Sequence, residues 1–270
     1  MKTPNKYLEL IRLNLQPHNF WCSEEFFDKA DWIVATVYDE VTNTVRVLGD
    51  DGKTLFPPIT PQGRFLMTGE FEVWADIQGV YPAPWAVDKY FKTELDREYL
   101  YNPVHFQDLK GKNWAVFRKN VAKWKKELVA YMEVSRVPYH AGQSQALQLL
   151  VYWLRGRKKD AEDANTLAAF VRSGEHRKAL VNSEGKILGV NVWDYGPTFI
   201  NYRVCIAYPM PYLQEYLRWL FYTDPEIRDS GKLVNDGGDL GQGGLRRFKE
   251  KLNPVQVRTV CSWRLKDGPA

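Results

Sequence analysis

The sequence predicts an α/β (α+β) protein, a mixed central sheet flanked by helices, and three observations carry that reading. Short β-branched and apolar runs fill the first third, a helix-spaced apolar stripe starts at Trp114, and from Lys178 onward strand and helix signals succeed one another in a fixed order.

In chain order, residues 32–38 and 45–48 read as strands, with Asp50-Asp51-Gly52-Lys53 as a turn, so the first third looks antiparallel. Residues 71–77 alternate apolar and polar and read as another strand. Tyr81-Pro82-Ala83-Pro84-Trp85 follows, where two prolines forbid a regular ladder and predict a connection. Trp114, Phe117, Val121, Trp124, Leu128 and Tyr131 recur at three- and four-residue steps, which predicts one amphipathic helix with Lys119, Lys123 and Lys126 on its opposite face. Helices are expected over 143–154 and 161–172, joined by the basic link Arg155-Gly156-Arg157-Lys158-Lys159.

Residues 178–182 and 187–193 flank Ser183-Glu184-Gly185, a hairpin signal, and 199–207 make a third strand. Pro209 and Pro211 open a helix over 212–222, as proline suits a first helical turn. A short strand over 232–235, a glycine-rich turn over 237–244, a helix over 245–252 and a strand over 255–263 complete the order β-β-β-α-β-α-β.

Composition bounds the function classes. The 270 residues are 44% hydrophobic, enough to bury one large or two small cores and to exclude a disordered chain. No apolar run approaches the roughly 20 residues that cross a bilayer, and the first residues lack the apolar stretch of a secretory signal, so a cytoplasmic protein is expected. Cys22, Cys205 and Cys261 are far apart and odd in number, which fits neither a disulfide framework nor a zinc site. His18, His105, His140 and His176 show no metal spacing and no Ser or Cys partner, so neither a metal centre nor a nucleophile triad is expected. The net charge of +4 is uneven: basic residues crowd around Arg118 to Lys126, Arg155 to Lys159 and Arg246 to Lys251. Such clusters are either solvated helix faces or phosphate contacts.

The segment Leu233-Val234-Asn235-Asp236-Gly237-Gly238-Asp239-Leu240-Gly241, with Gly244-Leu245-Arg246-Arg247-Phe248-Lys249 and Asn253-Pro254 after it, resembles the signature of the C-terminal domain of phosphatidylglycerol lysyltransferases, members of the acetyltransferase superfamily (GNAT-like fold). Tyr99-Leu100-Tyr101, Asp108-Leu109-Lys110-Gly111-Lys112 and Arg118-Lys119-Asn120 with Trp124 look like the family's tyrosine pair, glycine-lysine turn and basic-asparagine helix. The resemblance covers roughly residues 31–263. It implies tandem acetyltransferase-like lobes, 1–110 and 111–270, the second carrying the signature, with a gap between two splayed strands receiving the acyl donor. In the lysyltransferases that donor is a charged transfer RNA and the acceptor a lipid head group. Those proteins carry membrane helices that this sequence lacks, which leaves the acceptor open.

The residues themselves suggest how transfer would work. An activated ester or thioester needs an aligned acceptor, a proton acceptor and oxyanion stabilisation. Asp236 and Asp239, on the turn leaving a strand, and Arg246 behind them are the expected catalytic residues. Turn-tying and helix capping are the alternative for the two carboxylates, and an internal pair with Glu250 for Arg246. Gly237, Gly238, Gly241 and Gly244 allow close backbone approach to an anion, and Lys249 shares a helix face with Arg246. Asn235, Arg118, Lys119, Asn120 and Tyr208 complete the expected donor-binding set. Ala207-Tyr208-Pro209-Met210-Pro211-Tyr212 stands where coenzyme A users carry a glycine-rich pyrophosphate turn, which favours an aminoacyl-tRNA donor over an acyl-CoA donor. No tightly bound cofactor is expected. An acyl or aminoacyl transferase is thus the first reading, with an amine or hydroxyl acceptor. Transfer to modified bases in DNA, and a catalytically silent module that binds a small ligand or RNA, are the alternatives.

Overall fold

The computed structural model describes residues 5–13, 21–30, 32–65, 71–76, 90–127, 129–137, 142–155 and 161–265. The strongest strand formers sit mid-chain: β6 (His176–Asn182), β7 (Ile187–Tyr195) and β8 (Ile200–Ala207) make an antiparallel meander. Every residue of β7 except the last is buried, because helices cover both faces of the sheet there.

Around this meander an eight-stranded mixed sheet runs in the order β3-β10-β4-β9-β8-β7-β6-β5, with β3 Phe71–Asp76, β4 Tyr90–Tyr101, β5 Val129–Glu133, β9 Val234–Asn235 and β10 Gln256–Leu265. Strands β3 and β4 lie beside β10 and β9, so the sheet is continuous across residue 110. The hairpin of β1 (Ile33–Asp39) and β2 (Thr44–Gly49) forms a separate two-stranded sheet.

Register shifts at Leu188 in β7 and between Tyr202 and Val204 in β8 interrupt the strand alternation, and the two strands feed two cores. Val190, Val192, Val204 and Ile206 point into one, built with α1 (Lys6–Leu13), α2 (Glu24–Lys29), α5 (Gly142–Leu154) and α6 (Ala161–Ser173). Leu188, Trp193, Tyr202 and Ala207 point into the other, built with α3 (His105–Asp108), α4 (Ala115–Trp124) and α7 (Leu213–Thr223). The short α8 (Pro225–Arg228) has Asp224 as its cap and proline at its first position, and α9 (Gly243–Lys251) precedes β10.

The mixed sheet agrees with the sequence expectation, and so does the order β6-β7-β8-α7-α8-β9-α9-β10 apart from the short α8, which the expectation lacked. One element is corrected. The single helix expected from Trp114 to Tyr131 stops at Trp124, whose indole N–H bonds to the Pro211 carbonyl at 2.8 Å, and residues 129–133 pair with β6 as an edge strand. The apolar residues there fit both periods, and the open edge of β6 decides between them. The connection at 81–85, the basic residues 157–159, His18 and His140 lie outside the described residues.

Candidate functional site

Strands β8 and β9 are the one parallel pair among the described strands, and they pair only at Ile200↔Val234 and Asn201↔Asn235. Beyond Asn235 the chain leaves β8 and follows β4: Asp236 N–H bonds to the Tyr99 carbonyl at 3.0 Å, and Tyr99 N–H bonds back to the Gly237 carbonyl at 3.3 Å. Further on, Asp239 and Leu240 donate their N–H groups to Asp96 Oδ1 at 2.9 and 3.0 Å. The strands therefore part, and β8 from Tyr202 to Ala207 is left without a strand on its β9 side among the described elements.

The signature residues assemble at the base of this gap. Asp236, 6% exposed, is ion-paired with Arg218 of α7, accepts a 3.3 Å bond from the Tyr222 hydroxyl, and has Lys249 Nζ 3.6 Å from its second oxygen. Lys249 also donates to the carbonyls of Asp236 and Gly237 at 2.5 and 3.0 Å. Burial lowers the affinity of Lys249 for its proton, against the opposing pull of Asp236. For Arg218 burial acts the same way, but Asp236 together with Cys205, Tyr202 and Tyr222 outweighs it and the guanidinium is held more firmly protonated.

Asp239, 1% exposed, accepts bonds from the Tyr99 hydroxyl at 2.6 Å, from Arg246 Nε and Nη2 at 2.9 and 3.3 Å, and from Gly241 N–H at 3.0 Å. Burial pushes its carboxyl up, yet the Arg246 and Tyr99 bonds more than offset that and hold it below the ordinary aspartate value. Arg246 forks onto Asp239 rather than Glu250. Asn235 bonds to Glu98 at 2.9 Å and orients the Gly237 N–H, while Glu98 pairs with Arg258 at 2.9 Å. Gly238 is required: a β-carbon there would sit 1.6 Å from Asp96 Oδ2. Gly241 takes a positive φ of 67°, and Gly244 faces open space.

The structure thus brings Asn235, Asp236, Gly237, Gly238, Asp239, Arg246 and Lys249 together, and each charged group among them faces an internal partner. The remaining expected residues lie elsewhere. Arg118 bonds to the carbonyl of Leu109, a residue held at φ 49°, Lys119 is exposed, and Asn120 Nδ2 reaches Glu215 Oε1 at 3.3 Å.

Tyr208 lines a cleft of about 550 Å³ at the opened end of β8, with Tyr152, Arg155, Met210, Gln214 and Glu215. The Tyr152 and Tyr208 rings are 5.4 Å apart at 49°, and Lys186 Nζ lies 5.0 Å from the Tyr208 ring. The prolines shape the entry to α7: Tyr212 turns left-handed at φ 64°, and the helix start carries no side-chain cap but has Glu215 in its first turn. Gln214 Nε2 donates to the Cys205 carbonyl on the splayed edge at 3.4 Å. Sequence reading missed Tyr152, Gln214, Glu215 and Arg218. Arg218 had a signal, a charge set within the apolar face of Leu213, Tyr216, Leu217, Phe221 and Tyr222, which marks a buried pair.

Among the described residues no helix is long and apolar enough to cross a membrane, and no group of three His, Cys, Asp or Glu side chains is placed to hold a metal ion.

No protein-family model and no curated protein matches the chain. Solved structures do match it. L-PGS from Bacillus licheniformis aligns over 98% of this chain and 93% of its own, at TM-score 0.67 and 16% identity. The C-terminal domain of a protein assigned as a lysylphosphatidylglycerol synthetase from Agrobacterium fabrum aligns over 95% and 91%, at TM-score 0.61 and 15% identity. A conserved protein of unknown function from Bacteroides thetaiotaomicron aligns over 98% and 94%, at TM-score 0.69 and 14% identity. Over nearly its whole length, then, this chain has the fold of the lysylphosphatidylglycerol synthetase C-terminal domain.

Proposed function

We propose that the protein is an acyl- or aminoacyltransferase whose activated donor lies in the cleft at the opened end of β8 and passes its acyl group to an amine or hydroxyl. The observation that carries this reading is the parting of β8 and β9 after two paired residues, with a cleft of about 550 Å³ at the open end. Backbone groups along the unpaired edge of β8 can align a carbonyl and donate to its developing oxyanion. Tyr208 and Tyr152 supply an apolar, stacking wall for the donor. Glu215, steadied by Asn120, is the one acidic side chain of the cleft among the described residues and serves as proton acceptor or as anchor for a donor ammonium group.

The Asp236 and Asp239 assembly has, in this reading, a positioning role: it fixes β9 and the glycine turn away from β8 and so keeps the gap open.

A charged RNA is the donor we favour. The exposed face of α4 carries Lys119, Lys123 and the following Lys125 and Lys126, and it borders the cleft through the contact of Asn120 with Glu215. Lys123 and Lys125 lie 3.7 and 4.0 Å from the ring centres of Tyr212 and Trp219, the pairing of cation and aromatic surface that suits a single-stranded end.

The test is transfer of a labelled group from aminoacyl-tRNA or acyl-CoA, with mass spectrometry of copurifying ligands. Label leaving the RNA donor, with the donor KM raised about tenfold in Tyr208→Ala (about 1.4 kcal/mol), supports the assignment. Transfer unchanged in Tyr208→Ala overturns the cleft. Tight RNA binding with no turnover from any donor points to a binding module, and label arriving on DNA identifies a nucleic-acid acceptor.

A further inference from the structure

A second cavity, of about 430 Å³, opens at the other end of β8, where the β7–β8 turn meets α2. Carboxylates outnumber basic side chains in its lining, and the basic ones are committed: Arg12 pairs with Glu24 at the rim at 3.7 Å, Lys29 reaches Glu25 Oε1 at 3.5 Å, and Lys232 lies 5.3 Å from the Tyr195 ring.

The side chain of Glu25 is 9% exposed. Its Oε1 accepts the Glu175 N–H at 3.0 Å, but its Oε2 is buried without a hydrogen-bond donor. Its neighbour Asp194 is locked by Ser23 Oγ at 2.5 Å, Asn201 Nδ2 at 3.0 Å and Arg203 Nε at 3.0 Å, and both members of the Asp194–Arg203 pair are 2% exposed. Asp28 on α2, Glu175 just before β6, and Arg177 on β6, the last bound to the carbonyls of Val171 and Arg172, also stand around Glu25. Burial, and then the Asp194 charge, push the Glu25 carboxyl up to about 7.

A buried carboxylate oxygen without a donor is costly, and a fixed anion beside it raises that cost. A group that brings both positive charge and several N–H donors relieves it. A bare metal ion is the poorer fit, because no three such side chains converge to ligate one among the described residues. A primary ammonium, with three donors, suits two carboxylates approached from one side.

We propose that this cavity binds a small molecule bearing a primary ammonium group, with Glu25 Oε2 and Asp194 as acceptors at its floor and Glu24 at its rim. The site is separate from the donor cleft. The eight residues of β8 lie between them, about 23 Å at roughly 3.3 Å per residue, so an amine held here does not attack a carbonyl held there.

Titration calorimetry of the full chain with 1,4-diaminobutane, and with 1,4-butanediol as its uncharged match, tests the proposal. The diamine is expected to bind saturably and the diol not at all. Near pH 7, runs in buffers of different ionisation enthalpy are expected to show release of about half a proton as the ammonium drives Glu25 to ionise. Glu25→Gln, which keeps the acceptor for the Glu175 N–H, is expected to weaken binding at least tenfold and to abolish the released proton. The wild-type proton release stands as a readout that needs no variant. No saturable diamine binding at millimolar concentration, or equal affinity in Glu25→Gln, overturns the proposal.

Discussion

Replacing Asp236 with Ala separates a carboxylate that holds the fold from one that performs chemistry. In the native protein its side chain and that of Arg218 are 4% and 6% exposed, so neither charge has water to fall back on. Removing Asp236 leaves Arg218 unpaired and Lys249, itself 4% exposed, facing the guanidinium without the anion between them. Breaking a buried pair costs about 3–5 kcal/mol, and the leftover like-charge contact places this case toward the upper end. At about 2–4 °C per kcal/mol for a chain of roughly this size, the melting temperature falls on the order of 10 °C. Urea denaturation followed by circular dichroism reads the loss, and transfer is then measured well below the new midpoint. The double variant Arg218→Met with Asp236→Leu, which replaces the pair by apolar groups, is expected to recover most of the stability. An Asp236→Ala protein of native stability that has lost all transfer would refute the argument and make Asp236 a catalytic carboxylate.

Gly238→Ala places a β-carbon 1.6 Å from Asp96 Oδ2 and is expected to cost at least about 1–3 kcal/mol, read as a lower urea midpoint with unchanged m. Glu215→Gln is expected to lower transfer at saturating donor about 10²-fold, while a change in donor KM alone would argue against a role in proton transfer. Glu25 binds its proton more tightly folded than unfolded, so its contribution to stability is complete at low pH and is lost as pH rises through about 7. Glu25→Gln is therefore expected to match wild type near pH 4 and to melt about 2–4 °C higher at pH 8, the worth of ~1 kcal/mol in melting scans of a chain this size.

Much of the fold was legible because its strongest signals are local. The hairpin around Ser183-Glu184-Gly185, the proline-opened α7 and the glycine turn before α9 each follow from residue chemistry that acts within a few positions. Long-range partners decided the rest. Val129–Glu133 continues a helical stripe by spacing and becomes a strand because β6 offers an open edge. The charged and polar positions of β4, Asp96 and Glu98 among them, hide its strand character, since the groups that satisfy them, Arg258, Asn235 and the glycine turn, are distant in sequence. The same limit applied to the site. The sequence placed Asp236, Asp239, Arg246 and Lys249 in one group and Tyr208 in the donor-binding set, but it carried no sign that the partners of the first group are Arg218, Tyr222 and Tyr99, or that the lining of the cleft at Tyr208 does not include that group.

The start of α7 bears on which donor the cleft accepts. A coenzyme A pyrophosphate bound at a helix start relies on free N–H groups and on the positive end of the helix dipole. Here Leu213 donates its N–H to the Met210 carbonyl at 3.2 Å, and Glu215 puts a carboxylate in the first turn. The carboxylate offsets part of the helix dipole and repels an anionic pyrophosphate, which therefore gains little there. An aminoacyl ester presents the opposite charge at its reactive end, an α-ammonium, which the same carboxylate attracts. On the proposed reading its phosphates face the lysines of α4. On this argument Glu215→Lys would weaken an aminoacyl donor and improve coenzyme A binding, and competition between the two donors in that variant gives the sign directly.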